Sequence, residues 1–370
     1  MKVLSVFGTR PCVIKMAPLV NELVNRDGVE SIVCITGQHR SLLDKLIPFF
    51  NIKVDYDLDL MKPNQSLTDL TASGLLKLEE VIKKVKPDVV LVHGDTTTAM
   101  MGSLAAYYAR VKIGHVEAGL RTYDKYTPFP EETNRRIAGL VADFHFAPTS
   151  LTYDILIREG ADNSSIFLTG NTVIDVLKRT ILPDYTHPIL EKLQDRKMVL
   201  LTAHRRESHG EGLRNIFYGI KRILEEFDDI DVVYPVHPNP NVSKLADEIF
   251  GNTSHVHLIR PLEVIDFHNF MARSHLILTD SGGIQEEAPF LGVPVVVLRE
   301  MTDRPEGLET GNLIIGGTSE MGIYKTTKKV LSDHVLYAKM SEKSDVFGDG
   351  NASRLIADAL ISSLRDHHDF

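Results

Sequence analysis

Short runs of aliphatic and β-branched residues alternate with longer amphipathic stretches along most of the chain. Val3–Phe7, Ser31–Thr36, Val89–His93 and Gly114–Val116 predict strands apolar enough to be buried on both faces. Between them, Pro11 to about Asn25, His39–Phe50, Leu67–Lys84 and Thr98–Ala109 carry helical periodicity. Pro11 suits a first turn, where its missing N–H is an orphan in any residue. The pattern breaks at Leu182–Pro188, which holds two prolines and reads as a linker. It restarts with strands at Met198–Leu201, Asp231–Val236, Val256–Ile259, Leu276–Thr279 and Val293–Leu298. Helical patterns at Gly212–Phe227, Val242–Phe250, Phe267–Arg273 and Gly283–Phe290 alternate with those strands. Repeated strand–loop–helix units imply right-handed βαβ crossovers and parallel sheets. The fold class read from the pattern is α/β, with two Rossmann-like doubly wound domains at residues 1–180 and 181–351. A last helical stretch, Ala352–Leu364 within 352–370, either ends the second domain or crosses back to the first.

In open parallel sheets, ligands bind beyond the carboxyl ends of the strands. Those ends are polar here in every case. They read Gly8-Thr9-Arg10-Pro11 with Lys15 one turn on, His93-Gly94-Asp95-Thr96, Glu117-Ala118-Gly119-Leu120-Arg121, Ala203-His204-Arg205-Arg206 and Asp280-Ser281-Gly282-Gly283. The last opens a helix, so its N–H groups and positive dipole end suit a phosphate; it equally reads as a tight turn capped by Ser281. The nearby His204-Arg205-Arg206 and Arg304 favour the phosphate. Asp95 reads as a helix cap or an acid. Glu131 and Arg135 read as an i,i+4 ion pair or as site residues. Asp95, Glu117 and Glu131 together, with His93, Lys15 and Arg10, form a credible acid–base set.

Composition narrows the field. A chain of 370 residues suits two cores, and a net charge of -9 argues against coating nucleic acid or an anionic membrane. Cys12 and Cys34 are too few for a disulfide framework or a zinc site and read as reduced, buried thiols. No signal-peptide pattern and no apolar run near the roughly 20 residues of a membrane helix appear, so a cytoplasmic location is expected. The dinucleotide fingerprint, the P-loop, the zinc-protease helix motif and the nucleophile elbow are all missing from the sequence, so neither a cofactor nor a metal is expected.

The motifs resemble the non-hydrolysing UDP-N-acetylglucosamine 2-epimerase family. The matching stretches are Phe7–Pro11, Ile14–Pro18, Val92–Thr98, Gly114–Thr122, Pro130–Glu132 with Asn134-Arg135, Thr169–Thr172, His204–Glu207, Pro235–His237, Thr279–Pro289 and Arg304–Glu306. The resemblance implies a GT-B-like pair of domains facing across a cleft, a homodimer, and interconversion of UDP-GlcNAc and UDP-ManNAc for cell-surface polysaccharide. Residues 181–351 would then bind UDP, and residues 1–180 would supply the sugar and acid–base side. By position, Arg10, His204, Phe267, Ser281, Gly282, Gly283, Glu287 and Arg304 match residues that hold UDP. Lys15, Asp95, Glu117 and Glu131 match those near the reacting carbons. Gln38, Glu131, Arg205 and His237 match a second, activating UDP-GlcNAc site; Arg135 falls in the matched motif.

The reaction this inventory can run breaks the C1–O bond first, since C2–H is not acidic and no dinucleotide site offers an oxidation. UDP leaves, a carboxylate takes the C2 proton, and 2-acetamidoglucal forms; UDP re-adds with protonation from the other face. Asp95 and Glu117 are the expected proton-transfer pair, with Glu131 positioning or sharing that role and His204 at the departing UDP. A hydrolysing epimerase and a GT-B glycosyltransferase are the alternatives. Four positions depart from the family pattern: Cys12-Val13 replaces the usual Glu-Ala, Ser41 a glutamine, and Asn64 an arginine. Weak or absent allosteric activation is the expectation from Ser41 and Asn64.

Overall fold

The computed structural model describes residues 1–37, 46–203 and 210–365. It divides into two compact units: Met1–Val176 with Gly348–Phe370, and Leu177–Phe347.

The first unit is built on seven strands: β1 (Lys2–Phe7), β2 (Glu30–Ile35), β3 (Tyr56–Asp57), β4 (Val89–His93), β5 (Lys112–Val116), β6 (Phe144–Ala147) and β7 (Ile166–Leu168). Their order is β3-β2-β1-β4-β5-β6-β7, with every neighbouring pair parallel. β4 is buried at all five positions, which is why its sequence is an apolar run rather than an alternation. Helix Leu67–Val85 starts with a capping box, Ser66 and Asp69 exchanging bonds with each other's backbone N–H. It lays Leu78, Val81 and Ile82 on the sheet beside Met101 and Ala105 of helix Thr97–Tyr108.

The second unit has six strands: β8 (Lys197–Thr202), β9 (Ile230–Pro235), β10 (Val256–Ile259), β11 (Leu276–Thr279), β12 (Val295–Val297) and β13 (Leu313–Ile315). Their order is β10-β9-β8-β11-β12-β13, again parallel throughout. Phe217, Tyr234 and Phe250 meet as an aromatic cluster in its core. Truncating one such ring would cost about 3–5 kcal/mol.

The sequence leaves the place of the last helix open and reads Leu182–Pro188 as a linker. Helix Ala352–Arg365 packs on helix Arg10–Val24 and belongs to the first unit. Its first two N–H groups, from Ala352 and Ser353, donate to the buried Asp175 carboxylate at 3.1 and 2.8 Å. Burial raises the Asp175 pKa and these bonds oppose the rise. The segment around Leu182–Pro188 is a docked strap of the second unit. Leu182 N–H donates to Asn269, the Tyr185 hydroxyl to Asp266, and Arg273 to the carbonyls of Leu182 and Pro183. The units therefore part at Leu177 and Gly348, four residues before each sequence-derived boundary.

Candidate functional site

The chain leaves β1 and β4 in opposite directions across the first sheet, and β8 and β11 likewise across the second. Each pair marks a topological switch point, where the loops beyond the carboxyl ends diverge and leave a crevice.

In the first unit, Gly8 ends β1 so tightly that a Cβ there would sit 1.8 Å from Thr36 Oγ1. Glycine alone lets the loop turn into helix Arg10–Val24. Arg10 is half-buried at the head of that helix. One turn on, Lys15 Nζ ion-pairs with Glu117 Oε2, both side chains nearly buried. Glu117 follows β5 with φ at +62°, a left-handed conformation costing about 1–2 kcal/mol in a non-glycine residue. Its turn is completed by Gly119, where a Cβ would collide with the Thr152 carbonyl at 2.4 Å. The same Glu117 oxygen accepts from Asn171 Nδ2 at 2.8 Å and lies 3.7 Å from His93 Nε2. Burial drives the His93 pKa down to about 4 despite the carboxylate, so the ring is neutral near neutrality. His115 Nε2 meets the Gly94 carbonyl at 2.7 Å and fixes the loop that carries Asp95; burial lowers its pKa to about 3.

Asp95 does not cap the following helix. Thr96 does, accepting from Ala99 N–H. Asp95 Oδ2 instead lies 3.4 Å from the buried Arg135 guanidinium, while Asn134 holds the Asp95 carbonyl at 3.0 Å. Arg135 also lies 3.4 Å from Glu132, not from Glu131. Glu132 is fully buried and accepts from the N–H groups of Thr122 and Tyr123, which ties the loop before the helix. Glu131 heads helix Glu131–Val141 and is half-buried. Its carboxylate meets neither Asp95 nor Glu117 among the described contacts. Arg121 is spent on Glu159, at 2.6 to 3.1 Å, and is structural.

In the second unit, Ser281 occupies the N-cap position of helix Gly282–Leu291, yet its side chain makes no cap bond. The Thr279 hydroxyl takes Ser281 N–H at 2.9 Å instead. The capped-turn reading of Ser281 therefore does not hold. A Cβ on Gly282 would stand 3.7 Å from Arg304 Nη2, so the guanidinium lies against the helix start. Arg304 is held there by Glu286 Oε1 at 2.5 Å and Asp303 Oδ2 at 3.0 Å. Glu287 is nearly buried, with one oxygen 3.5 Å from His268 Nε2. Burial lowers the His268 pKa to about 4, and its Nδ1 meets the Thr180 hydroxyl at 2.7 Å. A neutral ring with Thr180 donating to Nδ1 carries its hydrogen on Nε2, toward Glu287. Phe267 is half-buried on the same helix as His268, leaving part of its ring accessible. His237 is exposed after β9, its Nδ1 accepting Asn239 N–H at 3.2 Å.

The structure thus gathers Lys15, Asp95, Glu117 and Arg135 on one sheet, and Ser281, Gly282, Gly283, Glu287 and Arg304 on the other. Asn64 sits on an exposed turn with φ at +58°, tolerable for asparagine. Gln38, Ser41, His204 and Arg205 lie outside the described residues. Sequence reasoning passed over the roles of Asn171, Glu132 and Glu286, although each stands within a matched motif. Cys12 and Cys34 are buried free thiols. Burial pushes Cys12 up to about 12, with Asp95 and Glu117 adding to the rise.

The family model described as UDP-N-acetylglucosamine 2-epimerase matches residues 21–361. The UDP-N-acetylglucosamine 2-epimerase of Bacillus subtilis is 55% identical over 361 residues, covering 98% of this chain and 95% of the relative. A solved Neisseria meningitidis UDP-GlcNAc 2-epimerase bound to UDP-GlcNAc is 44% identical with a TM-score of 0.91, covering 98% of this chain and all of the other. A Staphylococcus aureus MnaA–UDP structure has a TM-score of 0.92 at 49% identity, covering 98% and 97% of the two chains.

Proposed function

Since the chain belongs to the UDP-N-acetylglucosamine 2-epimerase family, we propose that it inverts C2 of UDP-GlcNAc to give UDP-ManNAc, reversibly and without hydrolysis. The observation that carries this reading is a pair of carboxylates, Asp95 and Glu117, at the ends of neighbouring strands and each set against its own nearly buried cation. Two carboxylates on neighbouring strands can serve the two faces of one carbon, which inversion of a carbon bearing a proton requires.

In the proposed reaction a carboxylate removes the C2 proton on one face while the C1–O bond breaks. The bonding pair leaves with UDP, and the C1–C2 double bond of 2-acetamidoglucal forms. UDP oxygen then re-adds to C1 as the other carboxylic acid delivers a proton to the opposite face of C2. We assign the proton transfers to Asp95 and Glu117. Arg135 positions Asp95, Glu131 would stand near the sugar, and Lys15 and Arg10 offset developing negative charge. On the second unit, the bare start of helix Gly282–Leu291 with Arg304 would receive the diphosphate. Glu287 would accept ribose hydroxyls, and Phe267 would contact the uracil. His204 would contribute at UDP; Arg205 and His237 would belong with Gln38, Ser41 and Asn64 to an activator site.

We further propose a cytoplasmic homodimer that feeds cell-surface polysaccharide synthesis. Buried, reduced thiols suit a reducing compartment, and none of the described helices is long and apolar enough to cross a membrane. Exposed Leu76, Tyr107, Tyr108 and Leu140 on helices of the first unit suit contact with a second copy.

Proton NMR of UDP-GlcNAc with the protein in D2O tests the activity. UDP-ManNAc carrying deuterium at C2 is the expected product. Free ManNAc would mark a hydrolase, and a sugar transferred without C2 exchange would mark a glycosyltransferase.

A further inference from the structure

Resting on that reading of Glu117, we propose that Asn171 is a positioning residue that aims and polarises the Glu117 carboxylate. Asn171 has one carbonyl and one NH2 to place. Its Oδ1 accepts the N–H of Val173 at 3.1 Å, capping the first turn of helix Thr172–Thr180. That bond fixes the amide's orientation, and the NH2 end is thereby turned onto Glu117 Oε2 at 2.8 Å. The residue is 2% exposed, and the returning segment passes close by, a Cβ on Gly348 falling 3.2 Å from Asn171 N. Turning the amide over would set its NH2 against the Val173 N–H and its Oδ1 against Glu117, losing both bonds.

Glu117 itself sits on a left-handed residue at a strand end, a backbone that does not alone define where its carboxylate points. Lys15 comes from the first helix and Asn171 from the end of β7, and both converge on the same oxygen. Oε1 faces Gly94, a Cβ there standing 3.5 Å away. Two donors on Oε2 favour the ionised form and orient Oε1 toward the loop that carries Asp95. Lys15 supplies charge; Asn171 supplies a direction fixed by a helix. Being at a helix start, it also couples the carboxylate to the element that runs beneath the C-terminal helix, through Asp175.

The variant N171D separates the two duties. Its carboxylate still caps Val173 but cannot donate to Glu117 while ionised, and it adds like charge. N171S keeps a short capping oxygen and cannot reach Glu117. Both are expected to stay folded, with UDP affinity by calorimetry within about twofold of the parent. Turnover should fall on the order of 10–100-fold with KM little changed, as for loss of a group that orients a proton-transfer residue. The acid limb of the kcat profile should move to higher pH in N171D. Infrared difference spectra against E117Q read the Glu117 carboxyl directly: its protonated band should appear at higher pH in N171D, whatever reaction the protein catalyses. Parent-like turnover and pH profile in both variants, or a parent-like infrared titration, would overturn the proposal. An inactive parent would count against the proposed epimerisation alone, since the infrared titration still decides the role of Asn171.

Discussion

Replacing Lys15 with methionine keeps most of the side-chain bulk and removes the cation from Glu117. The side chains of this pair are 13% and 11% exposed, so little water screens them. Among the described contacts, the Asn171 amide at 2.8 Å and the His93 ring at 3.7 Å remain near Glu117. A hydrogen bond to a charged group contributes about 1.5–3 kcal/mol and survives the change. His93, held neutral by burial, supplies no charge in exchange. Stranding one member of a fully buried pair costs about 3–5 kcal/mol. The residual exposure and the surviving amide bring this to about 2–3 kcal/mol. In a domain of this size each kcal/mol moves Tm by about 2–4 °C, so K15M should melt about 4–12 °C lower. The same energy disfavours ionised Glu117, so the acid limb of kcat/KM should rise by about 1.5–2 pH units. Thermal unfolding of K15M, E117Q and the double variant, closed as a cycle, isolates the pair from the loss of packing. A coupling energy under about 0.5 kcal/mol, with an unmoved pH limb, would refute this account of the pair.

Other consequences are open to direct tests. His93, His115, His145 and His268 have pKa values lowered by burial to between about 3 and 4, against 6.5 unperturbed. Between pH 6.5 and 4 the unfolded chain therefore binds more protons, and stability should fall as pH drops through that window, by up to about 1.4 kcal/mol per pH unit per histidine. H145F should flatten the Tm-versus-pH slope; an unchanged slope would contradict the assignment. R304K loses the fork that spans Glu286 and the start of helix Gly282–Leu291. UDP binding by calorimetry should weaken about 5–150-fold, and parent-like affinity would contradict the anion site. With the neutral Asn64 on its exposed turn, initial rates on UDP-ManNAc should rise little when a trace of UDP-GlcNAc is added; strong activation would sink the expectation.

The strand ends that carry the candidate chemistry were legible because buried parallel strands are unbroken apolar runs, and polar residues stand out where such runs stop. β3, β7 and β13 have only two or three residues and leave no periodicity to read. β6 interrupts its run with His145, a buried histidine whose Nδ1 makes no hydrogen bond. Helix Glu131–Val141 was invisible to hydrophobic patterning for a physical reason: its inner face is Glu132, Asn134, Arg135 and Ala138. A helix that buries a polar network in place of an apolar stripe reads as surface. The same limit hid Asn171 and Glu132, whose weight comes from partners far away in the chain. Ser281 shows the opposite limit, since a residue type suited to capping leaves its cap bond unmade and only the structure removes that alternative.

The central claim is that C2 is inverted by elimination and re-addition of UDP. It is tested most directly by incubating UDP-GlcNAc, labelled with heavy oxygen in the C1–O–phosphate bridge, with the protein in D2O and following it by NMR. The account predicts UDP-ManNAc with deuterium at C2, and heavy oxygen scrambled into the non-bridging positions of the β-phosphate as C1–O breaks and re-forms. Free ManNAc, or C2 deuteration with the label fixed in the bridge, would contradict it.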